Sequence, residues 1–97
     1  MSDKLTVIAR MKAKPGMEEE LKRELLGLVP PTRAEEGCIN YDLHQSLQDA
    51  SRFLFHERWE SEAHLKTHSQ SEHIRRFRAR AADLLDGATE IELWKAL

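Results

Sequence analysis

Four short segments in which apolar and polar residues alternate constrain this chain more than anything else in it. In Lys4 to Lys12, Leu5, Val7, Ala9 and Met11 point one way, and Thr6, Ile8, Arg10 and Lys12 the other. A period of two predicts a strand. Cys38 to Ser46 repeats the pattern, with Ile39, Tyr41 and Leu43 opposite Asn40, Asp42 and His44. Arg52 to Trp59 places Phe53, Phe55, Glu57 and Trp59 on one face, and Thr89 to Lys95 places Ile91 and Leu93 opposite Glu90, Glu92 and Trp94. The polar Gln48-Asp49-Ala50-Ser51 joins the second and third segments as a hairpin.

Helical spacing fills the gaps between these strands. Met17, Leu21, Leu25, Leu28 and Val29 form one apolar stripe, and Glu18, Glu19 and Glu20 suit the positive end of a helix dipole. Pro30-Pro31 leaves two readings open: an end at Val29, or a kinked extra turn to about Glu35 with Gly37 releasing the chain. Ser61 is a candidate cap for a short helix through Thr67. A last helix starts near Ser69 or Ser71 and buries Ile74, Phe77, Ala81, Leu84 and Leu85 before Asp86-Gly87 stops it.

The resulting β-α-β-β-α-β order predicts an α+β, ferredoxin-like split βαβ fold, with an antiparallel sheet and helices on one face. A length of 97 residues predicts a single domain over 1–97. On the second sheet face Ile8, Leu54 and Trp94 stand among Arg10, Asp42, His56, Arg58, Glu90 and Glu92. A face of that kind predicts a homodimer through the sheets.

Composition excludes several classes of partner. Fifteen Lys and Arg against 17 Asp and Glu leave no basic surplus to neutralise phosphates, so nucleic acid is not expected. No apolar run approaches the ~20 residues of a membrane span. Met1-Ser2-Asp3-Lys4 carries no apolar targeting stretch, and the lone Cys38 cannot form an intrachain disulfide. A cytoplasmic location fits both.

Five histidines are the main chemical signal. His64 and His68 are four apart and could share a helix face, but no carboxylate or cysteine stands at a spacing that completes a ligand set. No metal site is expected. His68 falls between the last two helices and His73 in the first turn of the second, where an imidazole is held towards its neutral, proton-accepting form. Glu57 alternates with aromatic residues on the core face, so it needs a partner or lines a cavity. Tyr41, Phe55, Glu57, Trp59, His68, His73 and Phe77 could together surround a pocket for a flat apolar molecule. No Gly-rich nucleotide loop and no Ser-His-Asp signature is present.

The stretch Trp59-Glu60-Ser61-Glu62-Ala63-His64-Leu65-Lys66-Thr67-His68-Ser69-Gln70-Ser71-Glu72-His73 resembles the central motif of the antibiotic biosynthesis monooxygenase family. Leu5 to Arg10, Lys14-Pro15-Gly16, Glu35-Glu36-Gly37-Cys38 with Tyr41, Arg52-Phe53 and Glu57-Arg58-Trp59 fit the same family, closest to its small quinol monooxygenases. The resemblance implies a dimeric α+β barrel with packed sheets and a pocket in each protomer. It also implies oxygenation of a quinol or polyhydroxylated aromatic by O2 without metal, haem or flavin. Haem-degrading members carry a histidine where Arg78 stands here, which weakens a haem role.

On this reading the catalytic residues are His68 as base, His73 as the second candidate, and Glu57, which orients the imidazole or hydrogen-bonds a substrate hydroxyl. Phe55, Trp59 and Phe77 supply walls, and Tyr41 donates to a quinone oxygen. Two alternatives stay open: an isomerase or degradative enzyme for a small signalling metabolite, and a non-catalytic dimeric small-molecule-binding or stress-response module.

Overall fold

A computed structural model describes residues 4–97. Met1-Ser2-Asp3, which bear on the targeting expectation, lie outside the described residues. The elements are β1 (Leu5–Lys12), α1 (Glu18–Arg33), β2 (Cys38–Gln45), β3 (Arg52–Trp59), α2 (Glu62–Ser69), α3 (Glu72–Leu84) and β4 (Glu90–Lys95). The strands form one antiparallel sheet in the order β2-β3-β1-β4, with the helices on one face. This is the ferredoxin-like arrangement. No helix among the described residues is long and apolar enough to cross a membrane.

One part of the fold expectation is corrected. The sheet does not close into a barrel: β2 pairs only with β3, and β4 only with β1, so both outer strands are edges. Four strands are about half the number around which a barrel just encloses its own side chains.

The alternation sets the core. Leu5, Val7, Ala9 and Met11 of β1 lie beside Phe53, Phe55 and Trp59 of β3, all buried under Leu21, Leu25 and Leu28 of α1. Strand β4 differs from its expected role, because Ile91 and Leu93 on its helix-side face are 63% and 53% exposed. Helix α3 ends at Leu84, and Leu85 bridges back to Ala13, so the described residues leave β4 without a helical cover.

Helix α1 runs through Pro30 and Pro31 to Arg33, which selects the longer of the two readings. The prolines leave the carbonyls of Leu26 and Gly27 without a helical donor, and both residues are exposed, where the loss is tolerable. The extra turn is tied off by the Ala34 amide on the Pro30 carbonyl and the Glu35 amide on the Thr32 carbonyl. Gly37 then turns the chain at φ +84°, and a Cβ there would lie 2.2 Å from His64 Cγ. Only glycine suits both the backbone and the contact. Ser61 caps α2 by accepting the His64 amide. Ser71 precedes α3 in extended conformation, and its hydroxyl turns to the His73 ring rather than to a backbone amide.

Candidate active site

The inner faces of β1, β2 and β3, Leu28 of α1, and helices α2 and α3 bound a cavity of about 210 Å³. An apolar cavity of ~150 Å³ accepts benzene, so this one has room for a one- to two-ring aromatic. Tyr41 and Phe55 stack at 4.3 Å between ring centroids and form one wall, with Phe77 and Ile74 among the lining residues from α3. Glu57, His68, Ser69, Arg78 and Thr89 are the other polar residues at the cavity besides Tyr41. Ile91 also lines it, so the cavity reaches the uncovered edge strand.

Five of the seven residues expected at the pocket line this cavity: Tyr41, Phe55, Glu57, His68 and Phe77. Trp59 and His73 do not. Trp59 is fully buried behind the cavity, where its indole N–H donates to Glu57 Oε1 at 2.9 Å and its ring lies 4.7 Å from that of His68. It holds Glu57 and His68 in place. The hydrogen-bond partner that Glu57 has is the indole two residues on along β3, while its place in the cavity lining suits the substrate-hydroxyl role.

The residue that orients His68 is Glu35. Its Oε2 lies 2.7 Å from His68 Nδ1 and 2.9 Å from His73 Nε2. A carboxylate oxygen accepts, so both rings donate to it. His68 is then the tautomer with its proton on Nδ1, and Nε2 remains for a molecule in the cavity. Thr32 Oγ1 at 3.1 Å and Ser71 Oγ at 3.3 Å lie around the same His73 Nε2–H and can only share it as weaker acceptors. Glu35 and Thr32 reach this place only because α1 continues past its prolines. Glu35 is 33 and 38 residues from its two partners, a separation that no local motif carries.

Burial tunes the polar groups. It lowers the pKa of His68 below the ordinary imidazole value, against the opposing pull of Glu35, so the ring is neutral at neutral pH. Burial pushes Glu57 up to about 7, against the hydrogen bond from Trp59, and the charge of Glu35 raises it further. Burial and the Glu57 charge raise Tyr41 well above its usual value, so its hydroxyl stays protonated. The site thus combines a proton acceptor at His68 with potential donors at Tyr41 and Glu57 in an apolar cavity. Arg78 reaches its mouth with one guanidinium nitrogen 3.0 Å from the Ser69 carbonyl. Among the described residues, Glu35, His68 and His73 also place three ligand atoms within 4.8 Å of one another, a set able to hold a metal ion.

His64, the other half of the spaced histidine pair, is not part of this cluster. Its Nδ1 lies 2.8 Å from Ser61 Oγ and its ring packs on Gly37.

Fold and site together define a small ferredoxin-like protein with one buried imidazole facing an aromatic-walled cavity. Residues 4–80 match the family model described as Antibiotic biosynthesis monooxygenase, and the chain belongs to that family. PA3566 from Pseudomonas aeruginosa superposes with a TM-score of 0.94 at 43% identity, covering 100% of this chain and 97% of that one. Rv0793 from Mycobacterium tuberculosis gives 0.91 at 32% identity, covering 97% and 95%. "Probable quinol monooxygenase YgiN" of Escherichia coli is 32% identical over 84 residues, 75% of this chain and 80% of that protein. A further curated relative is longer, and this chain spans 63% of its length.

Proposed function

We propose that this protein is a monooxygenase for a quinol or polyhydroxylated aromatic, with O2 as co-substrate and no bound cofactor. The observation that carries the reading is the Glu35–His68 pair, which leaves a neutral imidazole nitrogen for a ligand in an aromatic cavity. The quinol name of the Escherichia coli relative and the family resemblance support it.

The chemistry needs little from the protein. A quinol gives electrons to O2 readily as its anion. His68 Nε2 takes the phenolic proton, and Glu35 stabilises the imidazolium that forms. Tyr41 and Glu57 donate to substrate oxygens, while the positive charge of Arg78 favours the anion. One atom of O2 enters the ring and the other leaves as water. The substrate supplies all four electrons as it passes from quinol to hydroxyquinone, so no external reductant enters the balance.

The working form on this reading is a homodimer in the cytoplasm. A second copy packed on the outer sheet face and β4 would cover Trp94, which is 56% exposed here, and close the cavity beside Ile91.

Oxygen uptake with a reduced naphthoquinone, corrected for autoxidation, tests the activity. His68→Ala should lower turnover by about 10²–10⁴-fold, the usual worth of a positioned base. Full activity in that variant would remove His68 from the role. No uptake by the wild type over several quinols would favour the isomerase or binding-module readings.

A further inference from the structure

We propose that Glu35, His68 and His73 form a binding site for one divalent transition-metal ion of the zinc type, and that the bound ion reverses the hydrogen-bonding role of His68 towards the cavity. Two imidazoles and one carboxylate are a ligand set that zinc accepts, with further positions left for hydroxyl or water oxygens.

The geometry is close to what such an ion requires. Glu35 Oε2 lies 2.7 Å from His68 Nδ1 and 2.9 Å from His73 Nε2, and the three ligand atoms all fall within 4.8 Å of one another. Ligands bonded to zinc at ~2.0–2.2 Å in a tetrahedron stand roughly 3.4 Å apart, so the carboxylate oxygen must part from the two ring nitrogens by roughly 0.5–0.7 Å, and the ring nitrogens must draw together where they stand wider than that within the 4.8 Å limit. Thr32 Oγ1 and Ser71 Oγ, 3.1 and 3.3 Å from His73 Nε2, are oxygen ligands within reach. The side chains of His68 and Glu35 are 7% and 15% exposed, which shields the site from bulk water, while His73 at 21% gives an ion a way in. Spacing along the chain hides this set, because its carboxylate is remote in sequence and its second histidine is His73 rather than His64.

The consequence follows from the tautomer. In the free protein His68 Nδ1 carries the proton that Glu35 accepts, and Nε2 holds the lone pair. An ion bound at Nδ1 needs that lone pair, so the ring proton moves to Nε2. The ring stays neutral, and the nitrogen left for the cavity changes from acceptor to donor. With Nε2 turned from acceptor to donor, the ion would suppress proton removal from a quinol; that consequence rests on the proposed base role of His68, and the binding itself does not.

Titration of chelator-stripped protein with Co2+ and Zn2+, followed by visible absorption and calorimetry, reads the binding directly. One equivalent should bind, and Glu35→Gln and His73→Asn should each weaken it by at least about tenfold. His44→Ala, at an exposed histidine outside the cluster, should leave it unchanged. Melting curves establish that the variants fold. Nitrogen-15 NMR of the wild-type His68 ring needs no variant: Nε2 should pass from pyridine-like to pyrrole-like as Zn2+ is added. Absence of saturable one-to-one binding, or equal binding by Glu35→Gln, would overturn the site. Binding with an unchanged Nε2 signal would overturn the switch. These readouts need no turnover, so they stand whether or not quinols are oxidised.

Discussion

Strands β3 and β4 flank the same central strand β1, carry the same alternation, and have opposite fates. The helix-side residues of β3, Phe53, Phe55, Glu57 and Trp59, are all buried to within 4%. Those of β4, Ile91 and Leu93, are more than half exposed. Both strands have a pattern that asks for one buried face, so the difference lies in what covers them. Helix α1 packs against β2 and helix α2 against β3, whereas the helix-side residues of β4 stay open to solvent. The cavity sits between the two regimes, with Tyr41, Glu57 and His68 on the buried side and Arg78, Thr89 and Ile91 at the open side.

The largest expected effect on that contrast is at Trp59. Trp59→Ala should cost about 3–5 kcal/mol, because it empties a fully buried site and strips Glu57 of its indole donor. Denaturant melts would check this, and a cost below about 1 kcal/mol would mean that β3 is no better covered than β4.

Next in size is the pH dependence set by Glu57. Its carboxyl titrates near 7 in the folded chain against an ordinary 4.5. Between those values the folded state keeps a proton that the unfolded state has lost. Its stabilising contribution is therefore full below about pH 4.5 and is lost as pH rises through about 7, a change of about 3 kcal/mol. Glu57→Gln keeps an acceptor for the indole and should flatten this part of the stability–pH curve, so that the variant gains on the wild type at pH 8. Melting temperatures across pH 5 to 8 read the difference.

Gly37→Ala ranks third, at roughly 1–3 kcal/mol, from the strained φ and the contact with His64. It should also disturb the turn that delivers Glu35 to His68. Thermal melts set against metal-binding titrations would separate the two effects.

The smallest effect is expected on β4. Leu93→Ser should change the stability of an isolated chain by less than about 0.5 kcal/mol, as for other exposed positions. The same change should weaken a dimer that covers this strand, and make its melting temperature depend on protein concentration. Light scattering at several concentrations distinguishes these cases. A large loss of stability with no change in mass would mean that β4 is covered within its own chain.

The alternation of Leu5 to Lys12 and of Arg52 to Trp59 was enough to place these strands and their buried faces, because side chains on a strand must alternate and apolar ones seek cover. Glu57 was legible as an anomaly for the same reason: a carboxylate in an apolar row cannot be neutral to the fold. Its partner was not legible, since Trp59 could equally have been a wall or a donor. Pro30-Pro31 allowed two helix ends, and local propensity does not weigh the exposed carbonyls that make the longer one tolerable.

By itself, then, the sequence determined the elements, their order and the identity of the residue types gathered near one cavity. Only the tertiary structure decided that the sheet stays open, that β4 lacks a helical cover, and that Glu35 rather than Glu57 holds His68. Periodicity reports the forces acting within a few residues of the chain. The Glu35–His68–His73 cluster depends on where α1 stops and how α2 and α3 pack across it, which are contacts between segments more than 30 residues apart.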